Sequence, residues 1–297
     1  MFTGLSAFPL TPMGERGVDE AAFVRLIERL AAAGVDSIGV LGSTGSYAYL
    51  TPGERARVVR LAVEHAGGIP VMVGIGALRT RDVLALADDA QSAGARAVLL
   101  PPVSYQPLSD DEVFGLFDTV TRALSVPLCV YDNPTTTHFA FSDALHGRIA
   151  QLPNVASIKI PPVPSGMDAA RARVEALRAS MPAHVTLGVS GDPSAARGLI
   201  AGCDAWYSAI GGVFPVAALA ITRAAQAGDA QEAERLSDAL EPLWRLFRAY
   251  GGSLRVAATA AEVLGLVEYP SLPLPVQSLR GEARQQVAAV IRDLELA

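Results

Sequence analysis

The chain is expected to fold as an α/β protein: a (β/α)8 TIM barrel with a C-terminal helical extension. Eight short apolar runs alternate with amphipathic stretches over residues 1–228. Each run is bounded by Gly, Pro, Ser or Asn, as suits strands buried on both faces of a parallel sheet. The competing doubly wound sheet calls for a glycine-rich fingerprint after its first strand, and residues 10–18 (LTPMGERGV) lack one. Eight strands each followed by a helix favour the barrel.

The strands are expected at 5–9, 37–41, 70–74, 97–100, 127–131, 155–159, 185–189 and 205–208. Between the first two, Phe23, Leu26, Ile27 and Leu30 recur at helical spacing. Thr51-Pro52-Gly53-Glu54 opens the next helix with a capping Thr, a Pro at the first helical position and a Glu to close the box. Ser109-Asp110-Asp111-Glu112 repeats the device, and Ser142-Asp143 and Ser190-Gly191-Asp192-Pro193 offer further caps. After residue 228 the strand pattern stops. Residues 229–250, 254–264 and 277–295 read as helices, separated by Tyr250-Gly251-Gly252 and by the Pro-rich segment Tyr269–Pro275. The chain therefore divides into a barrel, 1–228, and a helical extension, 229–297.

Composition excludes several classes of function. The 297 residues are 51% hydrophobic and 18% charged, which excludes a disordered chain. A net charge of −6 with scattered arginines offers no basic stripe for nucleic acid. No run of about 18 apolar residues marks a membrane span, and the first residues do not read as a secretion leader. Cys129 and Cys203 are too few for a disulfide framework, so a reducing cytoplasm is the expected compartment. His65, His146 and His184 fall on helices or at a helix–strand junction, and no His or carboxylate spacing suggests a metal site.

Lys and Arg total 24, and Lys159 is the only lysine. It closes the sixth run, Val155-Ala156-Ser157-Ile158-Lys159. Strict alternation turns Val155, Ser157 and Lys159 to the barrel axis and Ala156 and Ile158 to the helices. Barrel enzymes keep their active sites at this C-terminal end of the strands. A lysine there is desolvated, which disfavours its charged form, and a neutral amine is a nucleophile able to form a Schiff base with a ketone. Arginine cannot replace it, because the guanidinium stays protonated. Tyr131 ends the fifth run and alternates with Cys129, so its phenol points inward beside the amine, where it can relay protons. Gly42-Ser43-Thr44-Gly45-Ser46 follows the second run and sets two hydroxyls and free backbone N–H groups where a carboxylate can sit.

These residues resemble the dihydrodipicolinate synthase/N-acetylneuraminate lyase family of class I, Schiff-base aldolases. The resemblance runs through Ala7-Phe8-Pro9-Leu10-Thr11-Pro12, Gly42-Ser43-Thr44-Gly45, Leu99-Leu100-Pro101-Pro102, Tyr131-Asp132-Asn133-Pro134, Ser157-Ile158-Lys159 and Ser190-Gly191-Asp192. It implies that Lys159 is the Schiff-base lysine and Tyr131 the proton shuttle. It implies that Ser43 and Thr44 hold the carboxylate of a pyruvate-like 2-oxo acid, Ser43 also joining the relay. Tyr207 falls where a backbone carbonyl lines the site. The implied partners are a 2-oxo acid and an aldehyde acceptor, with no cofactor and no metal, in a homotetramer or homodimer.

The pattern also departs from the family. Where dihydrodipicolinate synthases carry an arginine for the second substrate's carboxylate, this chain has Thr136, which cannot form a bidentate pair. The relay tyrosine that a neighbouring subunit usually supplies aligns with Ser104, and Tyr105 lies one place along to substitute. Ile160-Pro161-Pro162-Val163-Pro164 makes the wall after Lys159 stiff and apolar. His138 adds a polar group at the same rim, fit to bind an acceptor or to act as acid or base. The acceptor is accordingly expected to differ from that of a true dihydrodipicolinate synthase. Sugar-acid dehydration and hydratase-aldolase chemistry use the same iminium, and a barrel that binds a 2-oxo acid without turning it over is the non-enzymatic alternative.

Overall fold

A computed structural model describes residues 1–296. Eight parallel strands close into a barrel, each strand beside its sequence neighbours and the eighth beside the first. They span Gly4–Ala7, Ser37–Val40, Val71–Gly74, Ala97–Leu100, Leu128–Tyr131, Val155–Ile160, Thr186–Val189 and Ala205–Ser208. The first ends before Pro9, and the third and fifth begin one residue after Pro70 and Pro127. A proline has no N–H to give to the ladder, so it marks strand ends. Within residues 10–18 the chain forms a short antiparallel hairpin, Met13–Gly14 against Gly17–Val18.

Helices start where the capping residues placed them. Thr51 and Ser109 each accept from the backbone three residues on, while Glu54 and Glu112 return the bond. Ser142 caps Asp143–Ala150 through Leu145 N, and Asp19 caps Glu20–Ala33 through Ala22 N. The expected cap at Ser190–Pro193 does not form. The Asp192 carboxylate turns to the eighth strand instead, accepting from Trp206 Nε1, Ser208 Oγ, Ala209 N and Ile210 N at 3.0–3.2 Å. Burial pushes this carboxyl up from its ordinary value, against four donors that pull it down.

The helix expected over 229–250 is two, Ala230–Ala239 and Glu241–Ala249. Pro242 cannot donate back into the preceding turn, so the chain restarts there. Ser253–Val263 lies close to its expected bounds, whereas the last helix, Gly281–Asp293, is shorter than expected at both ends. The main core cluster runs from barrel residues such as Ile38 and Val130 into Ala233, Leu243, Trp244 and Val287 without a break at residue 228.

Alternation sorts the strands' side chains into two layers. Val98, Leu128, Val130, Ile158 and Trp206 pack outward against helices. Phe8, Met72, Leu99, Cys129, Tyr131 and Tyr207 fill the interior. The sixth strand breaks the expected alternation at its start. Leu128 pairs with Val155 but Cys129 pairs with Ser157, so Ala156 is an extra residue. Val155 joins the outer layer and Ala156 packs on the inner one, the reverse of the expectation. A bulge of this kind resets the pleat. From Ser157 onward the expected facing holds.

The buried Asp192 is the tie between the seventh and eighth strand ends. Asp192→Ala leaves four donors, three of them buried, without an acceptor and should cost about 3 kcal/mol or more, each orphaned buried group being worth about 1–3 kcal/mol. Asp192→Asn keeps one oxygen and should cost less. Urea unfolding of the two variants checks the order.

Candidate active site

Lys159 ends its chain path inside the barrel, only 6% exposed. Its backbone carbonyl accepts from Asp132 N at 3.0 Å, tying the ends of the fifth and sixth strands together. Its amine lies over three rings, 4.0 Å from the centroid of Phe8, 4.4 Å from Tyr131 and 5.7 Å from Tyr207. The amine thus has an aromatic enclosure. Among the described residues, no carboxylate pairs with it; the buried Glu262 carboxylate meets Arg284 elsewhere, and Asp132 lies 3.4 Å from His146.

Tyr131 brings the other expected groups to the amine. Its phenol shares a hydrogen bond with Ser43 Oγ at 3.1 Å and accepts one from Asn133 Nδ2 at 2.9 Å. Ser43 is half-buried and Thr44 buried in the turn after the second strand. Lys159, Tyr131, Ser43 and Thr44 therefore gather at one end of the barrel from three strand ends.

Tyr207 enters deeper than the carbonyl role in the sequence reading required. Its ring lies in the interior, and its hydroxyl shares a 2.6 Å hydrogen bond with Ser157 Oγ and accepts from Cys129 Sγ at 3.5 Å. Burial pushes the Tyr207 phenol well above its ordinary value and the Cys129 thiol up to about 11. This trio is a neutral polar layer beneath the lysine.

Thr136 and His138 are exposed on the short Pro134–Thr137 helix and its cap. Thr136 Oγ1 donates to Asn133 O, and His138 takes a left-handed conformation at φ 57°. The structure leaves both on the rim and away from the phenol's hydrogen bonds. Tyr105 is 89% exposed on the loop after the fourth strand, so within one chain it joins none of these groups.

Several neighbours were not singled out from sequence. Phe8 was quoted only as part of a motif, and the signal that could have found it is the glycine pair opposite: a Cβ at Gly39 or Gly42 would strike its ring. Asn133 sits two residues past Tyr131, a spacing that a turn can fold back. Tyr47, half-buried beside Tyr131, has its phenol pushed up to about 12 by burial. The buried Arg55 guanidinium lies 5.4 Å from the Tyr47 ring centroid and donates to Gly74 O and Gly76 O. Asp132 and His146 lie 3.4 Å apart with the imidazole stacked on Phe141. There a cavity of about 290 Å³ is lined by Asp132, Phe141, Ile160 and Pro161–Pro164.

A sequence model of the Dihydrodipicolinate synthetase family matches residues 1–294. The 4-hydroxy-tetrahydrodipicolinate synthase of Phenylobacterium zucineum is 33% identical over 300 residues, covering 100% of this chain and 98% of that protein. The crystal structure of dihydrodipicolinate synthase from Agrobacterium tumefaciens superposes with a TM-score of 0.94 at 47% identity, covering 99% of this chain and 98% of that one. The dihydrodipicolinate synthase of Acinetobacter baumannii, solved in complex with pyruvate, has a TM-score of 0.89 at 25% identity over the whole of both chains.

Both thiols are buried, and burial holds Cys129 at about 11 and Cys203 at about 12. The thiolate is the reactive form, and burial disfavours it in both. Ellman's reagent should therefore find no reactive thiol in the folded protein at pH 8 and two after guanidinium unfolding.

Proposed function

The chain belongs to the dihydrodipicolinate synthetase family, and from that premise we propose that it is a pyruvate-dependent Schiff-base lyase acting on a 2-oxo acid and an aldehyde. The observation that carries this reading is the single lysine, buried at the C-terminal end of the sixth strand with Tyr131 and Phe8 against its amine. The neutral amine of Lys159 adds to the ketone carbon, and loss of water gives an iminium. That cation accepts the electrons of the adjacent carbon, so a C–C bond breaks or forms through an enamine. Ser43 and Thr44 with their backbone N–H groups hold the carboxylate. Tyr131, bonded to Ser43 and Asn133, moves protons to and from the carbinolamine oxygen.

The acceptor in this reading is not the one used by true dihydrodipicolinate synthases. Thr136 supplies no guanidinium, and the wall of Pro161, Pro162, Val163 and Pro164 suits a less polar molecule, with His138 as the polar contact. Dehydration of a sugar acid or a hydratase-aldolase reaction on the same iminium is the second reading, and the wall favours the hydratase-aldolase, whose acceptor is apolar. Tyr105, exposed as it is, fits a role in a homodimer or homotetramer, reaching the site of a second copy. Two free buried cysteines agree with a cytoplasmic location. No helix among the described residues is long and apolar enough to cross a membrane.

Borohydride with pyruvate should trap an adduct on Lys159, located by mass spectrometry against the amino terminus as the other primary amine. Lys159→Ala should abolish that adduct with the unfolding midpoint retained. No adduct with any of several 2-oxo acids sinks the Schiff-base reading, and an adduct without cleavage of any tested hydroxy-oxo acid favours the binding alternative. Tyr131→Phe should slow turnover by about 10²–10⁴-fold, the usual loss for a missing acid–base group, with trapping kinetics as the check. Screening pyruvate with aromatic aldehydes and 2-oxo-3-deoxy sugar acids identifies the acceptor.

A further inference from the structure

We infer that the face of Phe8 is a further catalytic group of this site, stabilising the positive charge that the Lys159 nitrogen carries once it has condensed with a 2-oxo acid. The inference rests on the Schiff-base reading for its chemistry and on the aromatic enclosure for its geometry. Phe8 is the ring closest to the amine, at 4.0 Å from the centroid. Tyr131 and Tyr207 also offer hydroxyls, whereas Phe8 has no polar atom. Its one electrostatic contribution is the negative potential of its π face, which attracts a cation. No carboxylate pairs with the amine among the described residues, so the rings are what the charge meets.

The ring is held in place. Its backbone N–H donates to Ser208 O at 2.9 Å, and the ring stands edge to face with Tyr207, centroids 6.1 Å apart at 85°. Gly39 and Gly42 leave the space it occupies, since a Cβ at either would strike it. A leucine would fill an apolar interior without needing two bare positions opposite. The titratable groups facing the amine are Tyr131 and Cys129 from the fifth strand and Tyr207 from the eighth. The Cys129 thiol, at about 11, and the Tyr207 phenol, pushed up by burial, are both neutral near neutral pH.

The charge balance of the step makes the role measurable. The neutral amine adds to the ketone carbon, and its proton passes to the oxygen, giving a neutral carbinolamine. The hydroxyl takes one more proton and leaves as water, while the nitrogen lone pair closes the C=N bond of a cationic iminium. From the neutral amine, the step creates a charge in front of Phe8. From the ammonium, the charge is there at both ends, and the ring's contribution largely cancels.

Phenylalanine carrying one, two or three fluorines at position 8 keeps the ring's shape and weakens its face stepwise; Phe8→Leu is the natural comparison. With ε-¹³C lysine, the protein gives a single lysine resonance, which is followed against pH with no substrate present. Its midpoint should fall with each fluorine, by about threefold to thirtyfold in proton affinity over the series, the range of a cation–π contact. The pyruvate concentration that half-saturates borohydride trapping should rise by a similar factor above that midpoint and stay within about twofold below it. A flat resonance series overturns the inference even where the wild-type protein traps pyruvate, and leaves the Schiff-base reading standing. Equal losses of trapping at both pH values mark a packing role and also overturn it. A shifting resonance in a protein that never traps a 2-oxo acid overturns the Schiff-base reading, and the catalytic role of Phe8 with it, while the ring–cation contact remains.

Discussion

Three aromatic rings and a lysine amine share the inside of one closed barrel, and the volume available there governs the rest of the site. An eight-stranded barrel is filled by its own side chains and has no pore to spare. Phe8 fits because Gly39 and Gly42 carry no side chain, and Tyr207 fits because a Cβ at Gly188 would overlap its ring. The rings in turn exclude water from the amine. The Ala156 bulge belongs to the same arrangement. With that extra residue Val155 packs outward while Ser157 and Lys159 face the interior, where Ser157 meets the Tyr207 hydroxyl at 2.6 Å.

The two tyrosines of the enclosure are equipped for different work. Tyr207 is fully enclosed, its hydroxyl already engaged by Ser157 and Cys129, and burial makes its ionised form costly. A phenol so held supports the lysine sterically. Tyr131 has its hydroxyl at the strand end, between Ser43 and Asn133. Asn133 Nδ2 can only donate, so the phenol accepts there and keeps its own proton free for Ser43 or for a substrate oxygen. The polarity of one amide thus sets the direction in which the relay starts.

Much of this was legible in the chain because it depended on period and punctuation. Apolar runs with glycine and proline borders mark the eight strands, and the two Thr/Ser–Glu boxes mark their helices. Lys159 stood out as the one primary amine among arginines, and alternation within the fifth strand turned Tyr131 inward correctly. The misread strand and cap have a common physical origin in contacts between neighbouring strands. The bulge at Ala156 is a matter of register against Cys129, and the fate of the Asp192 carboxylate depends on Trp206 and Ser208 arriving beside it. Neither leaves a local mark. Phe8 was hidden likewise, because its meaning lies in glycines thirty residues away.

The site also divides by the kind of structure that builds it. The groups around the amine stand on strands or within three residues of a strand end: Phe8, Ser43, Tyr131, Ser157, Lys159 and Tyr207. Backbone ladders and close packing fix them, as chemistry at a single nitrogen demands. The acceptor side is made from loops. Thr136 and His138 are exposed on a one-turn helix, Tyr105 stands in solvent, and the proline wall follows the sixth strand. Loops of this kind can change composition without disturbing the barrel's register or volume. An arginine can therefore give way to Thr136 while the amine keeps its surroundings. On the proposed reading, a barrel that retains the strand-borne half and alters the loop-borne half keeps the iminium and changes what is joined to it.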